Sequence, residues 1–154
     1  MGKTKNIIFN ISFLLNCLLV FLVLVESKIS IPSWLQVAGR MHPLILHLPI
    51  TLLILCIAWF LFAENRIENE SAEKIGDWLL LLTSVTAAIT ALMGLFLSKE
   101  NGYEADKILW HKWSGIFTSI ITAVWYAYRN KLRQSKSLNI STAVVGFILI
   151  LITG

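Results

Sequence analysis

WLLLLTSVTAAITALMGLFL, residues 78–97, holds twenty residues with no charge among them. A bilayer's hydrocarbon core, about 30 Å thick, needs roughly 20 apolar residues at about 1.5 Å rise each. The stretch therefore reads as a membrane-spanning helix. Residues 7–25, 44–63 and 108–128 reach similar length, and residues 138–154 fall slightly short. The sequence predicts an all-α membrane protein, a bundle of about five transmembrane helices. Four of these form a core domain over residues 35–154. The N-terminal helix, with an outer linker, occupies residues 1–34 as an anchor or signal.

Composition agrees with this class. The 154 residues are 56% hydrophobic and 14% charged, with a mean hydropathy of +0.73. A soluble domain carries roughly 25% charged residues. The charges fall in the gaps between apolar runs, so the net charge of +4 expresses topology. No basic face interleaved with aromatics lies on a soluble element, which argues against nucleic-acid binding. With the N-terminus in the cytoplasm, the inner segments hold Lys3, Lys5, Arg66, Lys74, Arg129, Lys131, Arg133 and Lys136. The outer ones hold Lys28, Arg40, Lys99, Lys107 and Lys112. Eight against five favours N-in and C-out.

The first run resembles a signal peptide, but its 19 apolar residues exceed the usual length of that region and Glu26-Ser27-Lys28 lacks a small-x-small cleavage pattern. An uncleaved anchor is expected, with Asn10 and Asn16 bonding to neighbouring helices. Cys17 and Cys56 lie within spans, without zinc spacing or a c-type haem motif. Residues 64–77 read as a solvated inner loop, and Asn101-Gly102 as an outer turn. Trp34 is expected at headgroup depth. Gly115, Ser119, Ala123 and Ala127 recur every four residues on the fourth span, and Ala87, Thr90, Ala91 and Gly94 make a small surface on the third. Such faces let backbones approach, so Gly115 is expected to seat the third span and Gly115→Leu to cost about 1–3 kcal/mol through overpacking.

The chemistry-bearing residues are three histidines. GRMHPLILHLPI, residues 39–50, places His42 and His47 at the mouth of the second span, and His111 opens the fourth. Ionisable groups at membrane depth are costly and face the bundle interior by default. Pro43 suits a first helical turn and puts His42 at the cap. His47 and His111 are expected at matching depth, facing each other beside Trp110 or Trp113, with His42 nearer the water and Pro49 turning His47 inward.

The 39–50 block, ALMGLFLS at residues 91–98 and NGYEADKILWHKWSGI at residues 101–116 together resemble an uncharacterised bacterial membrane domain. That domain, a domain of unknown function best known from planctomycetes and Bacteroidetes, occurs alone or ahead of periplasmic c-type cytochrome domains. The resemblance runs from about residue 35 to residue 154. It implies a membrane anchor or assembly module for a periplasmic redox partner of the cytochrome c type. Two alternatives stand beside it. One is a b-type haem electron-transfer subunit with His47 and His111 as axial ligands, passing electrons between quinone and cytochrome. The other is a metal-handling protein using His42, His47 and His111. No catalytic residue is expected, since no serine or cysteine is paired with a histidine by a known motif.

Overall fold

The computed structural model describes residues 2–28, 30–63, 70–100, 105–133 and 136–153. Much of the expected inner loop and the Asn101-Gly102 turn lie outside the described residues. Among those described there are no strands. Helix α1 is Lys3–Leu24, α2 is Ser33–Gly39, α3 is His42–Ile45 and α4 is His47–Ala58, which continues as a π-helical turn over Trp59–Ala63. Helices α5 (Glu70–Leu97), α6 (Ala105–Arg133) and α7 (Lys136–Thr153) follow.

Helix α5 lies at the centre, packed against α1, α2, α4 and α6. Its first turn carries Glu70 and Glu73, where acids complement the helix dipole. Two of its threonines sit quietly in apolar surroundings, because Thr83 and Thr86 donate to the Leu79 and Leu82 carbonyls of their own helix at 2.7 and 2.8 Å. In a medium without water each hydroxyl needs such a partner. Thr118 and Thr122 on α6 do the same toward Ser114 and Thr118.

Helices α1 and α5 run parallel with a constant offset. Lys5 Nζ meets Asp77 at 2.9 Å and Ser12 meets Ser84 at 2.6 Å, each pair 72 residues apart. Leu19 packs with Leu92 and Leu95, and Glu26 accepts from Lys99 at 2.9 Å. Helix α6 runs the other way, setting Arg129 beside Asp77 and Lys112 beside Glu26. The bundle thus has an Asp77 end and a Glu26 end. One apolar cluster, with Leu53, Phe60, Leu80 and Trp125, fills the first half. The cluster around Leu19 fills the second.

Between them lies a polar node. Asn16 Nδ2 donates to the Ser12 carbonyl at 2.9 Å, and Ser119 Oγ donates to Asn16 Oδ1 at 2.8 Å. All three residues are buried, so α1, α5 and α6 are joined by hydrogen bonds at mid-height. Asn16 makes the helix contacts expected of it, while Asn10 is exposed.

Two helices, α1 and α5, are long and apolar enough to cross a membrane alone. The α2–α3 segment and the α4 segment qualify together as one broken span, bent by 41°. By length and apolar character, two or three candidate spans are found among the described residues where five were expected. In α6 the shortfall is chemical: Lys112, Ser114, Ser119, Thr122 and Arg129 interrupt its apolar run, and all but Lys112 are buried against the bundle.

Candidate functional site

The bend comes from Pro49. Proline has no N–H to give the carbonyl four residues earlier, and its ring crowds that carbonyl. The affected residue is Ile45, where α3 stops. Helix α3 starts at His42, with Pro43 in the first turn and Met41 at the cap position. The cap therefore falls one residue before the position expected for it.

His42 is buried against α5. Its Nδ1 lies 2.9 Å from the Thr90 carbonyl oxygen, which can only accept, so Nδ1 carries the proton. Its Nε2 lies 3.5 Å from His111 Nε2, and the two rings meet edge to face with centroids 5.8 Å apart. Gly94 makes room for this. A Cβ there would stand 2.9 Å from His42 Cε1, so a larger residue would push the imidazole off α5.

The pair expected between His47 and His111 is thus formed by His42 and His111, while His47 is exposed. Helical phase is the reason. Five residues turn a helix by about 500°, which sets His47 about 140° around from His42. His42, Leu46, Pro49 and Leu53 share the inward side and line one cavity; His47 is on the other. That spacing was readable in the sequence and was outweighed by the expectation that Pro49 would turn His47 inward. Trp110 and Trp113, expected to flank the pair, are also exposed.

The cavity measures about 270 Å³ and opens between the broken span, α5 and α6 near the Glu26 end. Its wall is mostly apolar, with His42, His111, Thr90 and Lys112 as its main polar side chains. The small surface of Ala87, Thr90, Ala91 and Gly94 lines this cavity. Thr90 Oγ1 is buried with no hydrogen-bond partner. Gly115 lines the cavity too, and a Cβ there would meet nothing within 4 Å. It does not seat α5. Gly115→Leu is accordingly expected to cost no stability in detergent and to gain up to about 1 kcal/mol of helix propensity. A loss of several degrees in melting temperature would mean that the cavity is closed in solution.

An ionic rim borders the site. Glu26 accepts from Lys112 at 3.0 Å and from Lys99 at 2.9 Å. Burial, the largest single influence, works to raise its pKa, but the hydrogen bonds and positive charges of the two lysines together hold it below the ordinary carboxylate range. Arg40 pairs with Glu100, and that hydrogen bond lowers the Glu100 pKa in the same way.

Residues 40–154, which include the histidine pair, the cavity and α5 to α7, match the family described as predicted membrane protein (DUF2231). The chain belongs to the DUF2231 family. Helix α1 lies outside the matched segment, although its polar side chains tie it to the DUF2231 core. No curated protein and no solved structure matches the chain. Both imidazoles of the pair fall within the DUF2231 segment, at its first helical turn and in α6.

Proposed function

We propose that this DUF2231 protein is a multi-pass domain of the bacterial inner membrane that anchors or assembles an extracytoplasmic redox partner of the cytochrome c type. The observation that carries the membrane part is the distribution of exposed side chains. Phe13, Leu14, Phe21, Leu55, Phe62 and Phe147 are exposed apolar residues on three different helices, while the ion pairs gather at the two ends. A surface of this kind suits lipid rather than water. In this reading all five long segments cross the bilayer. The polar residues of α6 are tolerable there because α1 and α5 cover them. Helix α1 stays attached, since cleavage would strip Ser84 and Ser119 of their partners.

The partner is inferred from the resemblance to domains placed ahead of periplasmic cytochromes, and from a C-out orientation that would put α7 next to such a partner. Tagged full-length protein, extracted from its own membranes in mild detergent, should bring down a separate polypeptide that stains for covalent haem. A preparation free of such a polypeptide overturns the anchor reading. Orientation is tested separately. A reporter that works only outside the cytoplasm should be active when fused after Gly154, and one that works only inside should be active near Lys131. The reverse pair of results overturns N-in and C-out.

The b-type haem alternative, with His47 and His111 as axial ligands and quinone as donor, would need His47 to rotate inward. A reduced-minus-oxidised absorption spectrum of the purified chain tests it.

A further inference from the structure

We propose that His42 Nε2 and His111 Nε2 together bind one d10 transition-metal ion, Cu+ or Zn2+, with its remaining coordination positions open to the cavity. This goes beyond the anchor reading and does not depend on it.

The tautomer supports the assignment. With Nδ1–H committed to the Thr90 carbonyl at 2.9 Å, His42 Nε2 carries a lone pair and faces His111 Nε2. A ring N–H given to a backbone carbonyl is the usual support of a metal-ligating histidine, fixing its orientation and raising its basicity. The separation of 3.5 Å between the two Nε2 atoms is long for a hydrogen bond, whose N–H donors ordinarily sit about 2.7–3.2 Å from their acceptors. It suits two nitrogens bound to one ion. With metal–nitrogen bonds of about 2.0–2.1 Å, that separation subtends an angle of roughly 113–122°, in the range from tetrahedral to trigonal. A bis-imidazole haem would instead place its nitrogens about 4 Å apart on opposite sides of the iron, given bonds of roughly 2 Å.

The surroundings fit an ion held by few protein ligands. Among the described residues no third histidine, cysteine or carboxylate joins the pair, so the sphere is completed from the cavity. Thr90 Oγ1, buried and without a partner, lines that cavity and can bond to a water or anion on the ion. Among the described residues Lys112 is the one lysine or arginine in the wall, and it is held by Glu26, which limits its repulsion. Neutral imidazoles suit copper and zinc, and a d10 ion imposes no geometry of its own.

The test is titration of the full-length chain in detergent with Zn2+, and with Cu+ under reductant, against a chromophoric chelator. One ion per chain is expected, with two histidine nitrogens at about 2.0 Å in the X-ray absorption spectrum. His42→Ala and His111→Ala should each weaken binding by more than the roughly 10–100-fold that loss of an outer-shell partner costs. His47→Ala should leave affinity unchanged. Absence of stoichiometric binding overturns the proposal, as does binding that survives both substitutions together or depends on His47. The absorption spectrum is taken on the unsubstituted chain, so its outcome stands even where a variant fails to fold.

Discussion

Asp77→Asn should lower the stability of the detergent-solubilised protein by about 3 kcal/mol, the lower end of the cost of breaking a buried ion pair. Asp77 Oδ2 accepts from Lys5 Nζ at 2.9 Å, and Arg129 Nε lies 3.6 Å from Oδ1. Arg129 is almost wholly buried, with a side-chain exposure of 3%, whereas Asp77 keeps 24%. The partial exposure of Asp77 places the effect at the lower end of the range. Neutralising the carboxylate leaves two cations facing a group that no longer attracts either. The guanidinium also lies 4.0 Å from the centre of the Phe60 ring and close over Gly76, so its movement would disturb the apolar cluster below it. Thermal melts of Asp77→Asn and Lys5→Met beside the parent check this. Asp77→Asn should cost more, because Lys5→Met leaves Asp77 to Arg129. A melting temperature for Asp77→Asn equal to the parent's would show that Arg129 does not rely on Asp77.

Gly39→Leu should have an effect of similar size at the other end, about 3 kcal/mol, the upper part of the overpacking range. A Cβ at Gly39 would stand 2.7 Å from Leu97 N and 3.1 Å from Leu97 Cα. These are backbone atoms and cannot rotate away. Helix α2 would have to lift from α5, carrying with it Arg40, which pairs with Glu100, and then the His42 turn. Gly39→Ala offers a finer measure. It should gain about 1 kcal/mol of helix propensity, and a net loss in spite of that gain would isolate the clash. Equal melting temperatures for the parent and Gly39→Leu would show that α2 does not rest on α5.

The large-scale plan was legible because apolar length and charge placement are linear properties. The helical class, the apolar character of α1 and α5 and the bonding role of Asn16 all follow from residues read in order. The span count did not transfer in the same way. A hydroxyl-rich face such as that of Ser114, Ser119 and Thr122 counts against a membrane helix on any scale, and only packing reveals that the bundle covers it. Of the site, His42 and His111 were candidates from the outset, and what failed was the choice of partner. Depth and rotation both went astray: His111 stands level with His42, five residues nearer the start of the span than His47. Gly115 failed for a related reason. A small residue at helix-packing spacing can admit a neighbour or leave a space, and sequence does not distinguish the two. Gly39 and Gly94, by contrast, admit neighbours at closer than ordinary contact.

The parallel pairing of α1 with α5 has a mechanical consequence. Helix α1 is fastened by Lys5 to Asp77 at one end and, just beyond its other end, by Glu26 to Lys99. Its 22 residues span about 33 Å. A free helix meets a thinner lipid layer by leaning over, but a helix pinned top and bottom to its neighbour has lost that option. The whole molecule must tilt, or the lipid must stretch or compress around it, at a fraction of a kcal/mol for each Å of mismatch. The two clasps therefore make α1 and α5 a ruler. The protein should be most stable in lipids whose acyl chains match that length, and should lose stability in shorter-chain lipids before any of its internal contacts is altered.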